Sequence, residues 1–147
     1  MRKPARTAAV LLALLVGITA LAGCTAIFGP NRDSSGRVTE TTEIDSTTLL
    51  RGDCFSFVDG TNNSRANVTP CAKPHTYLVI GGGTLSTADI SKDGGTQDAV
   101  SAACSDGFEA YKKRLPDGTK TDEQFVVSPQ EKDGKTVTLY LCVASTT

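Results

Sequence analysis

Tryptophan is absent from this chain, histidine occurs once, at His75, and aromatic residues are limited to three tyrosines and five phenylalanines. A core with so few large rings buries little area per residue, so a small domain of this composition needs another source of stability. No two cysteines lie within a few residues of each other. That spacing lacks the close ligand pairs of a structural zinc site and the Cys-x-x-Cys of a redox enzyme. No Gly-x-Ser-x-Gly elbow is present, and no segment nominates a serine for His75 to activate. Gly81-Gly82-Gly83-Thr84 is followed by no Lys-Ser/Thr pair, so it reads as a turn or bulge after a strand rather than a phosphate loop. Asp89, Asp93 and Asp98 lack the ligand pattern of a calcium loop. No cofactor or metal is expected.

The longest apolar run, Ala8 to Ala22, covers about 15 residues, short of the roughly 20 that a spanning helix needs. It follows Arg2, Lys3 and Arg6 and ends in Leu21-Ala22-Gly23-Cys24. Basic residues, a short apolar stretch and small residues before a cysteine make a lipobox, so residues 1–23 are expected to be a cleaved signal peptide. Cys24 then becomes the N-terminus and carries a diacylglyceryl thioether. Two acyl chains hold a protein stably at a membrane, where one does not. The expected location is the extracytoplasmic face of the cell membrane.

Three of the fifteen basic residues leave with the signal, so twelve Lys and Arg remain against sixteen Asp and Glu, a formal charge of −4. That balance argues against nucleic acid as a partner. It also disfavours a purely electrostatic hold on an anionic membrane, leaving the lipid as the anchor.

Setting Cys24 aside, Cys54, Cys71, Cys104 and Cys142 remain, an even number in an exported chain, which reads as a disulfide framework. Three pairings are possible, and the sequence alone does not decide among them; Cys54–Cys71 with Cys104–Cys142 is the one favoured here.

Residues 24–47 read as the lipidated N-terminus and a flexible polar tether, with Gly29-Pro30-Asn31, Asp33-Ser34-Ser35-Gly36 and a Thr/Glu tract. The domain is expected to occupy 48–147. Short strands are expected over Cys54–Val58, Ala66–Cys71 and His75–Ile80, with Asn62-Asn63-Ser64 as loop. Val100, Ala103, Cys104, Gly107, Phe108 and Tyr111 fall on one face of a helix capped at Thr96. A C-terminal hairpin turns at Asp133-Gly134, linking Gln124–Ser128 to Lys135–Ala144. Along its last strand Val137, Leu139, Leu141 and Val143 point one way, and Thr138, Tyr140 and Cys142 the other. A Cys104–Cys142 bond puts the helix on the second face, so the first needs another cover, from the early strands or from a partner. The fold class is α+β: a small antiparallel sheet, one packed helix and two disulfides.

Gly52-Asp53-Cys54-Phe55, Val68-Thr69-Pro70-Cys71, Pro74-His75, a helical Cys104 and a terminal Leu141-Cys142-Val143 together resemble the septum formation family of exported or membrane-anchored actinobacterial domains. The resemblance covers nearly all of 48–147, and its cysteine order supports the favoured pairing. It implies a role near division and wall growth. The chain departs from the family at Leu78, where an acidic residue commonly follows the histidine, and at Gln130-Glu131-Lys132, where an aromatic is common.

The leading expectation is a non-enzymatic binding or interaction module with a protein or cell-wall partner. The alternative is a carrier or sensor of a small apolar ligand held between helix and sheet; a wall hydrolase ranks last, having no catalytic set. His75 is the only weak candidate for ligand contact, and its more economical role is to satisfy backbone groups beside the Cys71 turn.

Overall fold

The computed structural model describes residues 29–59 and 62–145. The expected signal peptide, Cys24 and the Gly60 turn position lie outside the described residues. The chain builds strands β1 (Thr42–Asp45), β2 (Cys54–Asp59), β3 (Asn62–Thr69) and β4 (Tyr77–Ser86). Helices α1 (Thr87–Lys92) and α2 (Thr96–Lys112) follow, then strands β5 (Glu123–Lys132) and β6 (Lys135–Ser145). The strands form one sheet in the order β1-β3-β2-β4-β6-β5, with every neighbouring pair antiparallel. The α+β class holds, with the short α1 added to the main helix. Cys54 is bonded to Cys71 and Cys104 to Cys142.

The hairpin β5–β6 turns at Asp133-Gly134, and both residues have positive φ. Alternation along β6 sorts its side chains onto two faces, as expected. Cys142 and Ala144 are buried with Ile80, Val100 and Cys104, while Leu78, Phe108, Tyr111, Phe125 and Tyr140 pack around them. This is the layer beneath α2, pinned by the Cys104–Cys142 bond. The helix buries Ala99, Val100 and Cys104. Ala103 and Gly107, placed on that face by periodicity, are exposed instead; such small residues carry little burial preference either way. Nor does Thr96 cap the helix. It is the first helical residue, and Gly95 is the cap without a side-chain hydrogen bond. Gly94 (φ 86°) and Gly95 (φ 141°) make the link from α1, a conformation that side-chain-bearing residues resist. Helix α1, which periodicity did not reveal, is set by a capping box: Ser86 Oγ accepts from Asp89 N, and the Asp89 carboxylate accepts from Ser86 N.

The opposite face of the sheet holds the larger core. Phe55, Ala66, Val68, Val79, Val126, Leu141 and Val143 are buried there, with Phe57 and Tyr77 alongside. Phe55, Phe57 and Tyr77 form a ring cluster with centroids 5.1–5.5 Å apart. Its cover is the N-terminal segment itself: Val38, Ile44 and Leu49 are buried in the same cluster. Two expectations are corrected here. The region assigned to a flexible tether contains β1, paired with β3 from Thr42↔Val68 to Asp45↔Arg65. The ordered domain therefore begins well before residue 48. Two apolar side chains, Val38 and Ile44, suffice to dock this polar stretch because strand pairing satisfies its backbone.

The second and third expected strands are also longer than expected, and the fourth runs from Glu123 to Lys132 rather than from Gln124 to Ser128. The second begins at Asn62 rather than Ala66, absorbing the expected Asn62-Asn63-Ser64 loop. The third runs on through Gly81-Gly82-Gly83 to Ser86, with a register shift between Val79 and Gly81. The glycines are therefore strand residues beyond a bulge. A Cβ on Gly82 would stand 2.8 Å from the Tyr140 carbonyl oxygen and from Leu141 Cδ2, and one on Gly83 would meet the Tyr140 ring.

Candidate functional site

After β1 the chain makes a single 3-10 turn, Ser46–Thr48, that touches both β3 and β5. Those strands lie far apart in the sheet order, so the sheet curls until its two ends approach across the turn. Between them is an open groove of about 490 Å³ lined by Asp45, Ser46, Thr47, Asn63, Ser64 and the Phe125–Ser128 stretch of β5. Its polar wall is self-organised. Asp45 accepts from Thr47 N at 2.8 Å and Thr47 Oγ1 at 2.6 Å. These bonds hold the Asp45 carboxyl below the usual carboxylate range, with a smaller contribution from the Arg65 charge. The buried Ser46 hydroxyl donates to the Asn63 carbonyl.

The other wall is a sheet edge. Among the described residues β5 pairs only with β6 and has no strand on its outer side. Pro129 sits in this strand opposite Thr138, and a proline within a sheet turns its nitrogen to the free edge. Alternation then turns the backbone N–H and C=O of Val127 and Phe125 to that same edge. Val127 is among the most exposed large apolar residues, at 42%. The groove thus offers unpaired main-chain groups beside an apolar side chain, bordered by hydroxyls and a carboxylate.

Sequence reasoning did not find this groove, because it is assembled from β1, β3 and β5. The one available signal was the lone proline in β5, which marks an edge strand.

The positions singled out by sequence lie elsewhere. Asp53, part of the Gly52–Phe55 motif, accepts from Leu50 N at 2.8 Å and also takes a bidentate pair from Arg32, at 2.7 and 2.8 Å. That hydrogen-bonded carboxylate pushes the Arg32 guanidinium further toward its charged form. His75 Nδ1 lies 2.8 Å from the Lys73 carbonyl oxygen, in the turn after Cys71. It is at the Cys54–Cys71 end of the sheet and does not join the groove. Glu123, at the start of β5, has one carboxylate oxygen shut off from solvent with no hydrogen-bond partner among the described residues. Burial, with the nearby Glu109 charge, pushes its pKa up.

No group of three His, Cys, Asp or Glu among the described residues is placed to hold a metal ion, and no described helix is long and apolar enough to cross a membrane.

The chain matches no family model, no curated protein and no solved structure. The reading of the site therefore rests on its own geometry.

Proposed function

We propose that this chain is a lipid-anchored envelope lipoprotein, held by a diacylglyceryl group on Cys24, whose domain is a non-enzymatic binding module. Its groove takes an extended segment of a partner protein at the free edge of β5. The carrying observation is the combination of that unpaired edge with exposed Val127 and the groove beside it. An extended peptide adds to such an edge through main-chain hydrogen bonds, and side pockets select alternate side chains. Pro129 interrupts the run of outward donors, so an added strand finds no N–H at that position. The likeness of Gly52–Phe55 and Val68–His75 to the septum formation family supports a partner engaged in division or wall growth.

The alternative reading, a carrier of a small apolar ligand, needs room between helix and sheet. Ile80, Val100, Cys104, Cys142 and Ala144 occupy that layer, which favours the binding module.

A photo-crosslinking side chain at Val127, in the membrane-tethered protein in cells, tests the reading against the same probe at Asp106 on the exposed side of α2. The reading expects one recurrent adduct from position 127 that maps to a single extended segment of an envelope protein. Identical adduct patterns from both positions would contradict it.

A further inference from the structure

The described part of the chain begins close in sequence to Cys24. Arg32 is fixed by its two bonds to Asp53 and by a third, from Nη1 to the Gly36 carbonyl at 2.9 Å. Asn31 accepts from Thr39 N at 2.9 Å. Only eight residue steps separate Cys24 from Arg32, a fully extended reach of about 28 Å. The end of the domain that carries Arg32 is thus held at the membrane surface, rather than suspended on a long tether.

That end has a distinctive surface. Leu50 is 55% exposed, the most exposed large apolar residue described, and Arg51 beside it is exposed. The Leu50–Gly52 loop is fixed from below: Leu50 N donates to Asp53, and Gly52 N donates to the Val79 carbonyl at 2.8 Å. The turn after Cys71 lies against it, with Cys71 Sγ 3.6 Å from the Gly52 carbonyl oxygen, and carries the exposed Lys73. Arg37 is exposed on the neighbouring turn. The nearest acidic group on that turn, Asp33, is engaged by Ser35 and the Arg37 amide. Glu40 faces the same end, beside Asn31.

We propose that this pole is a membrane-contact surface for anionic phospholipid: Leu50 enters the headgroup–acyl boundary while Arg51, Lys73 and Arg37 meet lipid phosphates. The inference rests on the lipidation of Cys24 proposed above. The chain's negative net charge provides no long-range attraction, so the short link does the concentrating and the local basic groups act only at contact range. The orientation has a consequence for the groove. β1 runs away from this pole, from Thr42 to Asp45, where the groove begins, so the bound membrane leaves the groove open to the envelope.

The test uses the full lipidated protein in vesicles of phosphatidylglycerol and phosphatidylcholine, with a photoreactive side chain at position 50 or at position 127. Lipid adducts are expected from position 50 and not from 127, and the yield at 50 is expected to fall several-fold in the Arg51→Glu/Lys73→Glu variant. Mass spectrometry of the N-terminal peptide from the same sample reports the state of Cys24. With Cys24 diacylated, equal adduct yields at 50 and 127, or a yield at 50 indifferent to the charge reversal, overturn the contact surface alone. An unmodified Cys24 overturns the anchoring reading and this inference with it.

Discussion

Arg32 and Asp53 form a two-bond ion pair across 21 residues of sequence, with the Asp53 side chain 3% exposed and that of Arg32 19%. It fastens the N-terminal segment to the loop entering β2 and so ties the turn around Arg32 to the core. Arg32→Ala leaves a buried carboxylate without its counter-charge and is expected to cost about 3 kcal/mol in urea unfolding. Arg32→Lys is expected to recover only part of this, since an ammonium cannot reproduce the fork. A chain as stable with Ala as with Arg would show that the segment is not docked through this pair.

The two disulfides close loops of 17 and 38 residues. On the chain-entropy model they stabilise the domain by about 3 and about 4 kcal/mol. The Cys104→Ala/Cys142→Ala double variant should therefore lose more than Cys54→Ala/Cys71→Ala, and it should loosen α2 specifically. Hydrogen exchange of the α2 amides checks this: they should speed up in the first variant and stay close to wild type in the second.

Gly81 and Gly82 are adjacent in β4 but face different surroundings. A Cβ at Gly81 meets Cys142 Sγ at an ordinary 3.6 Å, while one at Gly82 meets a backbone oxygen at 2.8 Å. Gly82→Ala is expected to destabilise by about 1–3 kcal/mol, the usual range for overpacking. Gly81→Ala is expected to be neutral or slightly stabilising through lower unfolded-state entropy. Thermal melts of the two variants decide it, and equal losses would contradict the register given for β4 and β6.

Legibility in the sequence followed the density of the pattern. β6 alternates over many residues, so its two faces and its hairpin partner could be read directly, whereas the Cys104–Cys142 bond was only the favoured one of three possible pairings. The cover over the Leu141 face could not. Val38 and Ile44 are isolated apolar residues in a polar tract, and their docking depends on β3 and on Asp53, distant in sequence. Gly81–Gly83 mislead for a related reason: what makes them strand residues is the Tyr140 ring and the β6 backbone across the sheet. The groove combines both difficulties, since its walls come from three separate parts of the chain.

Two carboxylates bend the pH dependence of stability in opposite senses. Glu123 has a raised pKa from burial and the Glu109 charge, so its ionised form is disfavoured by folding. Its destabilising effect is present above the folded pKa and fades as pH falls. Glu123→Gln should raise Tm at pH 7, with the gain shrinking as pH falls through the carboxylate range. Asp45 has a lowered pKa from Thr47, so its contribution is complete above the ordinary carboxylate pKa and is lost as pH falls through the folded value. Asp45→Ala should therefore lower Tm at pH 7 and matter least in acid. Melting curves of both variants from pH 3 to pH 7 test the signs.

Strand addition requires the outer edge of β5 to receive an extended segment through its main-chain donors. Val127→Pro removes one outward donor and, by the alternation that Pro129 fixes, leaves the ladder to β6 intact. With a photo-crosslinking side chain at Ser128, on the same groove, the otherwise unaltered protein should capture its partner segment in cells. The Val127→Pro protein, still melting cooperatively with both disulfides formed, should capture none. Undiminished capture by that folded variant would contradict strand addition at this edge.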